Sequence, residues 1–183
     1  GAAIICNYLL TAHRLKQPVD DLEGLLNAIE KALRHALREF YQPELNLFQS
    51  TTSIHESAME EGYTCWVNFA LLYAFSLANE VADKFDQEGR ISRDHLSFRK
   101  DFLHSVNELF MSGNRYVRRV DPQGHMDFRP DFTLLSPFFF GFLHYRNEME
   151  RSVDFLEKQL WDPQFGMIMR YLPFSRDFTT HVH

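Results

Sequence analysis

The chain has 183 residues and a net charge of −6, and its 18 Phe, 7 Tyr and 2 Trp make aromatics 15% of the composition. That length suits one domain with a sizeable core, or a piece of something larger. The acidic balance, without any basic stripe, argues against nucleic acid or an acidic membrane as partner.

Cys6 and Cys65 lie far apart and form no CxxC pair, which argues against a disulfide framework and for a reducing, cytoplasmic compartment. The apolar stretches at 65–78 and 132–143 are too short for a membrane span and are interrupted by Asn68, Ser76, Ser136 and Pro137. The opening "GAAIICNYLL" has neither Met nor a basic n-region, so it is no secretory signal, and its helical start points to further chain upstream.

In chain order, residues 2–16 read as a short buried helix that stops before Gln17-Pro18. Asp20 or Asp21 then caps a helix with Leu22, Leu25, Leu26, Ile29, Leu33, Leu37 and Phe40 on one stripe and charges elsewhere, an amphipathic pattern. "QPELNLFQSTTS" reads as a loop, broken by Pro43. A third helix, from about 61 to 85, is apolar on most faces and so reads as buried. "DQEGRIS" is a linker with Gly89 as helix stop, and an amphipathic helix follows over 93–111. Around the turn "DPQG", residues 116–120 and 125–128 read as a small β-hairpin near 114–128. "DFTLLSPFFFGFL" reads as a short helix apolar all round, "RNEMERSVDFLEKQLW" as another amphipathic helix, and "FGMIMRYLP" as one short strand.

Buried and amphipathic helices therefore alternate. A flat bundle would give every helix one apolar stripe, whereas helices buried all round, paired with one-sided ones, fit two concentric layers. The expected fold is all-α: about half of an (α/α)6 toroid, as a single partial domain over 1–183 that continues beyond both termini. A plain α-solenoid is the alternative, but no self-similar repeat of fixed period is visible.

Several segments resemble glycoside hydrolase family 15, the glucoamylase-like enzymes, and the related domains of phosphorylase kinase regulatory subunits. "DFTLLSPFFFGFL" is similar to that family's D-A-S-L-L-x-L-P-x-x-G-F-L helix, with Asp131, Leu134, Leu135, Gly141, Phe142 and Leu143 in register. "RNEMERSVDFLEKQL" and the "FGMIMRYL" that follows are similar to its D-P-R-V-x-x-T-V-x-x-I-E-x-x-L…G-L-V-x-R-Y segment. The likeness extends, by pattern more than identity, to "SIHESAMEEGYTCWVNFALLYAFSLA", where the family has Trp-Glu and this chain His55-Glu56. The resemblance implies an inverting α-glucosidase or glucoamylase-like hydrolase of oligo- or polysaccharides, working without cofactor or metal. It places Glu56 at the family's general acid, with Glu60 or Glu61 as substitutes. The family's general base falls beyond His183, so a remaining stretch of polypeptide or a partner chain is needed to complete the toroid.

Inverting cleavage needs one carboxyl to protonate the leaving oxygen and a carboxylate on the other face to activate water. Glu56, on a loop entering a buried helix, suits the first task, and a carboxyl against Trp66 or Tyr63 would favour its protonated form. The plainer alternative is that Glu56, Glu60 and Glu61 only favour a helix N-terminus. Beside His55, Tyr63 and Trp66 can line a sugar subsite or be ordinary core. Arg129 and Asp131 can hold sugar hydroxyls or form a local ion pair. "THVH" at the end supplies two His where a zinc site needs more ligands. A non-catalytic carbohydrate-sensing or regulatory toroid, or a helical interaction scaffold, are the alternatives to an enzyme.

Overall fold

A computed structural model describes residues 1–52, 59–97, 99–142 and 146–169. Helix dominates among them, and the strands form short hairpins or one small sheet, so the all-α class with small hairpins holds. The chain divides into two compact units: Gly1–Phe48 with Leu71–His104, and Gln49–Ala70 with Ser105–His183.

In the first unit, α1 (Ala2–Arg14) buries Cys6, Leu9, Leu10 and Ala12, while Ile4 and Tyr8 are exposed. The helix expected to be buried is thus one-sided, because only this face meets the core. Asp21, not Asp20, caps α2 (Leu22–Glu39), its carboxylate accepting from the Gly24 amide at 2.9 Å. Leu26, Ile29 and Leu33 of the expected stripe are buried.

The segment read as loop after α2 is a hairpin, β1 (Tyr41–Gln42) with β2 (Leu47–Phe48), in register Tyr41↔Phe48. Asn46 supplies the positive φ of its turn (52°) and accepts from the Tyr41 hydroxyl at 2.7 Å. Asn tolerates that region better than other side chains, which is why Pro43 and Asn46 make a turn here instead of a shapeless connection.

Helix α3 (Cys65–Phe85) keeps Phe75, Ala78 and Val81 fully buried in this unit. By length and composition α3 is long and apolar enough to cross a membrane, but burial in the fold accounts for the same composition. Its polar side chains find backbone partners: Asn68 donates to the Thr64 carbonyl at 3.0 Å and Ser76 to the Leu72 carbonyl at 2.7 Å. In the linker that follows, Asp86 accepts from the Arg90 and Ile91 amides at 2.8 and 2.7 Å around Gly89. The helix expected over 93–111 is present as α4 (Arg93–Ser97) and α5 (Arg99–Phe110).

The second unit centres on an antiparallel sheet, β3 (Ser50–Thr52) and β4 (Met59–Thr64) joined by later strands in the order β3-β4-β7-β8. β5 (Met111–Ser112) pairs with β6 (Arg115–Tyr116), and β7 (Arg119–Val120) with β8 (Met126–Asp127). The hairpin expected near 114–128 is therefore real only from 119. Arg115 and Tyr116 pair backwards with the residues just after α5, because Gly113 and Asn114 allow a tight turn there. Helix "DFTLLSPFFFGFL" begins as a 3-10 turn (Phe132–Leu135) and becomes α6 (Ser136–Phe139), with Pro137 in its first turn, where no amide is missed. Amphipathic α7 (Arg146–Leu160) leads into β9 (Trp161–Asp162) and β10 (Met167–Ile168), so the lone strand expected there has a partner. Leu134, Leu156 and Leu160 form a small core against Leu135 and Phe155.

Candidate functional site

Because β4 runs through Glu61 to Thr64, the third helix begins at Cys65 and not near residue 61. Thr64 caps it, its hydroxyl accepting from the Val67 amide at 3.3 Å, and the Cys65 amide bonds to the Arg118 carbonyl at 3.0 Å. Glu60 and Glu61 therefore sit on a strand, before the helix begins. Glu61 is exposed, and its carbonyl accepts from Arg119 Nη1 at 3.1 Å. The strand is forced by Gly62, whose φ of +115° suits glycine alone and where a Cβ would lie 2.5 Å from the Val120 carbonyl oxygen.

His55 and Glu56 fall between β3 and β4, outside the described residues. The other four candidates are brought to one end of this unit. Tyr63 is buried opposite Val120 in the β4–β7 ladder. Trp66, half-buried in the first turn of α3, packs against Phe132, Phe139 and Phe140 at 5.9, 4.9 and 4.9 Å between centroids. Arg129 pairs with Asp127: Nη2 is 2.6 Å from Oδ2 and Nε 3.0 Å from Oδ1. Asp131 is buried, accepts from the Thr133 amide at 2.8 Å to cap the 3-10 turn, and lies 3.3 Å from Arg118 Nε.

Arg118, which the sequence reading did not single out, joins this cluster. It is fully buried between Asp131 and, at 3.8 Å, Asp127. Its neighbours Tyr116, Val117 and Val120 are buried as well. A guanidinium in that position must meet carboxylates, because an unpaired buried charge costs several kcal/mol. Burial would raise the Asp127 carboxyl, but the hydrogen bonds and charge of Arg129 and the charge of Arg118 prevail and hold it below the usual range. Burial also pushes the Cys65 thiol up, against the hydrogen bond of Ser136 and with the charge of Asp131.

The result is a rigid charge ladder, Arg129–Asp127–Arg118–Asp131, ending where the phenylalanines around Trp66 begin. Such an edge can present one indole face and one half-exposed guanidinium to a hydroxyl-rich ligand. Among the described residues no group of three His, Cys, Asp or Glu is placed to hold a metal ion, and the terminal "THVH" lies outside them. A cavity of about 590 Å³ lies elsewhere in the unit, between α6 and α7, lined among the described residues by Leu135, Phe138, Arg146, Met149, Glu150, Val153 and Asp154. No protein-family model, curated protein or solved structure matches the chain.

Proposed function

We propose that this chain is part of an α/α-toroid glycoside hydrolase that cleaves α-glucosides or α-glucans with inversion. The observation that carries the reading is the course of β4. The strand that follows Glu56 in sequence feeds directly into Tyr63 and Trp66 and pairs with the hairpin bearing Asp127 and Arg129. One mostly buried helix, α3, between the one-sided helices α2 and α5 fits a two-layered ring, although α1 exposes Ile4 and Tyr8 and α6 exposes Phe138 and Phe139. Residues outside this chain, or a partner chain, complete that ring. The free, buried Cys6 and Cys65 suit a reducing, cytoplasmic setting.

In this mechanism Glu56 protonates the glycosidic oxygen. A carboxylate outside this chain, roughly 6.5–9.5 Å away, takes a proton from the water that attacks the anomeric carbon from the opposite face. His55, Tyr63 and Trp66 line the sugar subsite, and Arg129 donates to hydroxyls. Asp131 is too enclosed to touch sugar and acts by fixing Arg118, hence the rim. A second reading, a carbohydrate-sensing regulatory domain or helical scaffold, is favoured by Phe138 and Phe139, which expose most of their rings beside Trp66 as a docking surface would.

The Glu56→Gln variant of the full-length protein decides between them. The isosteric amide cannot supply a proton, so maltose hydrolysis falls by about 10²–10⁴-fold while an activated aryl α-glucoside is partly spared. Full activity in Glu56→Gln together with loss in Glu60→Gln or Glu61→Gln overturns the assignment. A wild type that cleaves no α-glucoside leaves the regulatory reading.

A further inference from the structure

Three one-sided helices, α2, α5 and α7, end in the same device. β1–β2 follows α2, β5–β6 follows α5, and β9–β10 follows α7, with Tyr41↔Phe48, Met111↔Tyr116 and Trp161↔Ile168 as equivalent pairs. The latter two close alike, Val117 donating to the Phe110 carbonyl and Met169 to the Leu160 carbonyl, both at 2.8 Å.

Twice the device docks on the next amphipathic helix. Phe48, 0% exposed, packs on Phe102 of α5 at 5.2 Å and on Phe75 of α3 at 5.9 Å. Tyr116, 1% exposed, packs on Phe69 of α3 at 5.7 Å; its amide donates to Ser152 of α7 at 3.3 Å, and Arg115 stacks 3.8 Å over Phe155 of α7. The third hairpin breaks the pattern. Ile168 is 50% exposed and lines an apolar trough with Phe132, Leu135, Val153, Leu156 and Met169. Through Leu135 and Val153 the trough continues into the 590 Å³ cavity, whose rim carries Glu150, Asp154 and Arg146. This is a seat for a helix.

We propose that the seat takes helix α1 of a second copy of this chain, head to tail. On α1 and its C-cap, the exposed side chains Ile4 (75%), Tyr8 (52%) and Leu15 (64%) fall with Thr11 at i, i+4, i+7 and i+11, one exposed stripe. The end of that stripe carries Arg14 and Lys16, opposite in charge to Asp154 on the rim, where Arg146 pairs with Glu150 at 2.9 Å. A contact between two different surfaces of one chain is heterologous and builds rings or open chains. It rests on the recurrence of the hairpin and not on sugar chemistry, so self-association and hydrolysis fail or stand separately.

Sedimentation velocity on the chain and its variants tests this, with circular dichroism confirming unchanged helix content. Wild type self-associates with concentration. Ile168→Asp and Ile4→Asp each weaken association at least about tenfold, the scale of an interface hot spot. Leu45→Asp, on the exposed turn of the docked first hairpin, leaves it unchanged. A mixture of Ile168→Asp with Ile4→Asp regains a 1:1 complex, since each supplies the surface the other lacks. A wild type that stays monomeric, association indifferent to either substitution, or a mixture no tighter than its components overturns the proposal.

Discussion

Asp127 is the residue where local chemistry sets a property of the whole chain. Its carboxylate is held by Arg129 and faces Arg118, and its folded pKa lies below the ordinary value of 3.8. A depressed carboxyl contributes stability that is present above its unfolded pKa and lost as pH falls through the folded one. The urea midpoint should therefore fall steeply below about pH 4, and Asp127→Asn should flatten that part of the curve while lowering stability at pH 7. An unchanged pH profile in Asp127→Asn would show that the ladder does not titrate with folding. From sequence, Arg129 and Asp131 could hold sugar hydroxyls or form a local ion pair with each other. Which carboxylate a guanidinium reaches is set by strand register, and Arg129 meets the carboxylate on its own strand exit while Asp131 turns inward to Arg118.

At the scale of elements, the recurring hairpin shows how context decides the worth of a side chain. Phe48 and Ile168 hold equivalent positions in two hairpins that share a Pro after the first strand and a positive φ late in the turn, at Asn46 and Gly166. Phe48→Ala removes a ring packed against those of Tyr41, Phe75 and Phe102 and should cost about 3–5 kcal/mol in urea unfolding. Ile168→Ala, measured on dilute monomer, should stay within about 0.5 kcal/mol. Equal costs would mean that the third hairpin is as well seated as the first. The sequence signals for these hairpins, "YQPELNLF" and "WDPQFGMI", are alike, but they stand 120 positions apart with a shorter version between them, at no fixed period. A search for even spacing misses such a repeat.

For the whole molecule, binding is the broadest test of the sugar reading, because a ligand that binds only the folded state raises its stability by mass action. Maltose at about a hundred times its Kd should add about 2.7 kcal/mol, seen as a rise in Tm. The rise should persist in Glu56→Gln, which loses the proton but not the subsite. No rise with any α-glucoside tried, in wild type or variant, would count against the subsite at Tyr63, Trp66 and Arg129 and for a scaffold.

Sequence by itself determined the helices with long apolar periodicity, α2, α3 and α7, because one stripe or all-round apolarity is a property of the segment alone. It also determined the linker at Gly89 and the turn of the β7–β8 hairpin, where local backbone preference suffices. Only the tertiary structure decided that residues 61–64 are strand. Their sequence continues the helix pattern, but Gly62 and the ladder to Val120 and Arg119 satisfy their backbone across 56 intervening positions or so, and no local window contains that partner. The same holds for Arg118, whose two carboxylates come from the next strand and the turn beyond it. A buried charge is explained by what surrounds it, and the surroundings exist only once the chain has folded.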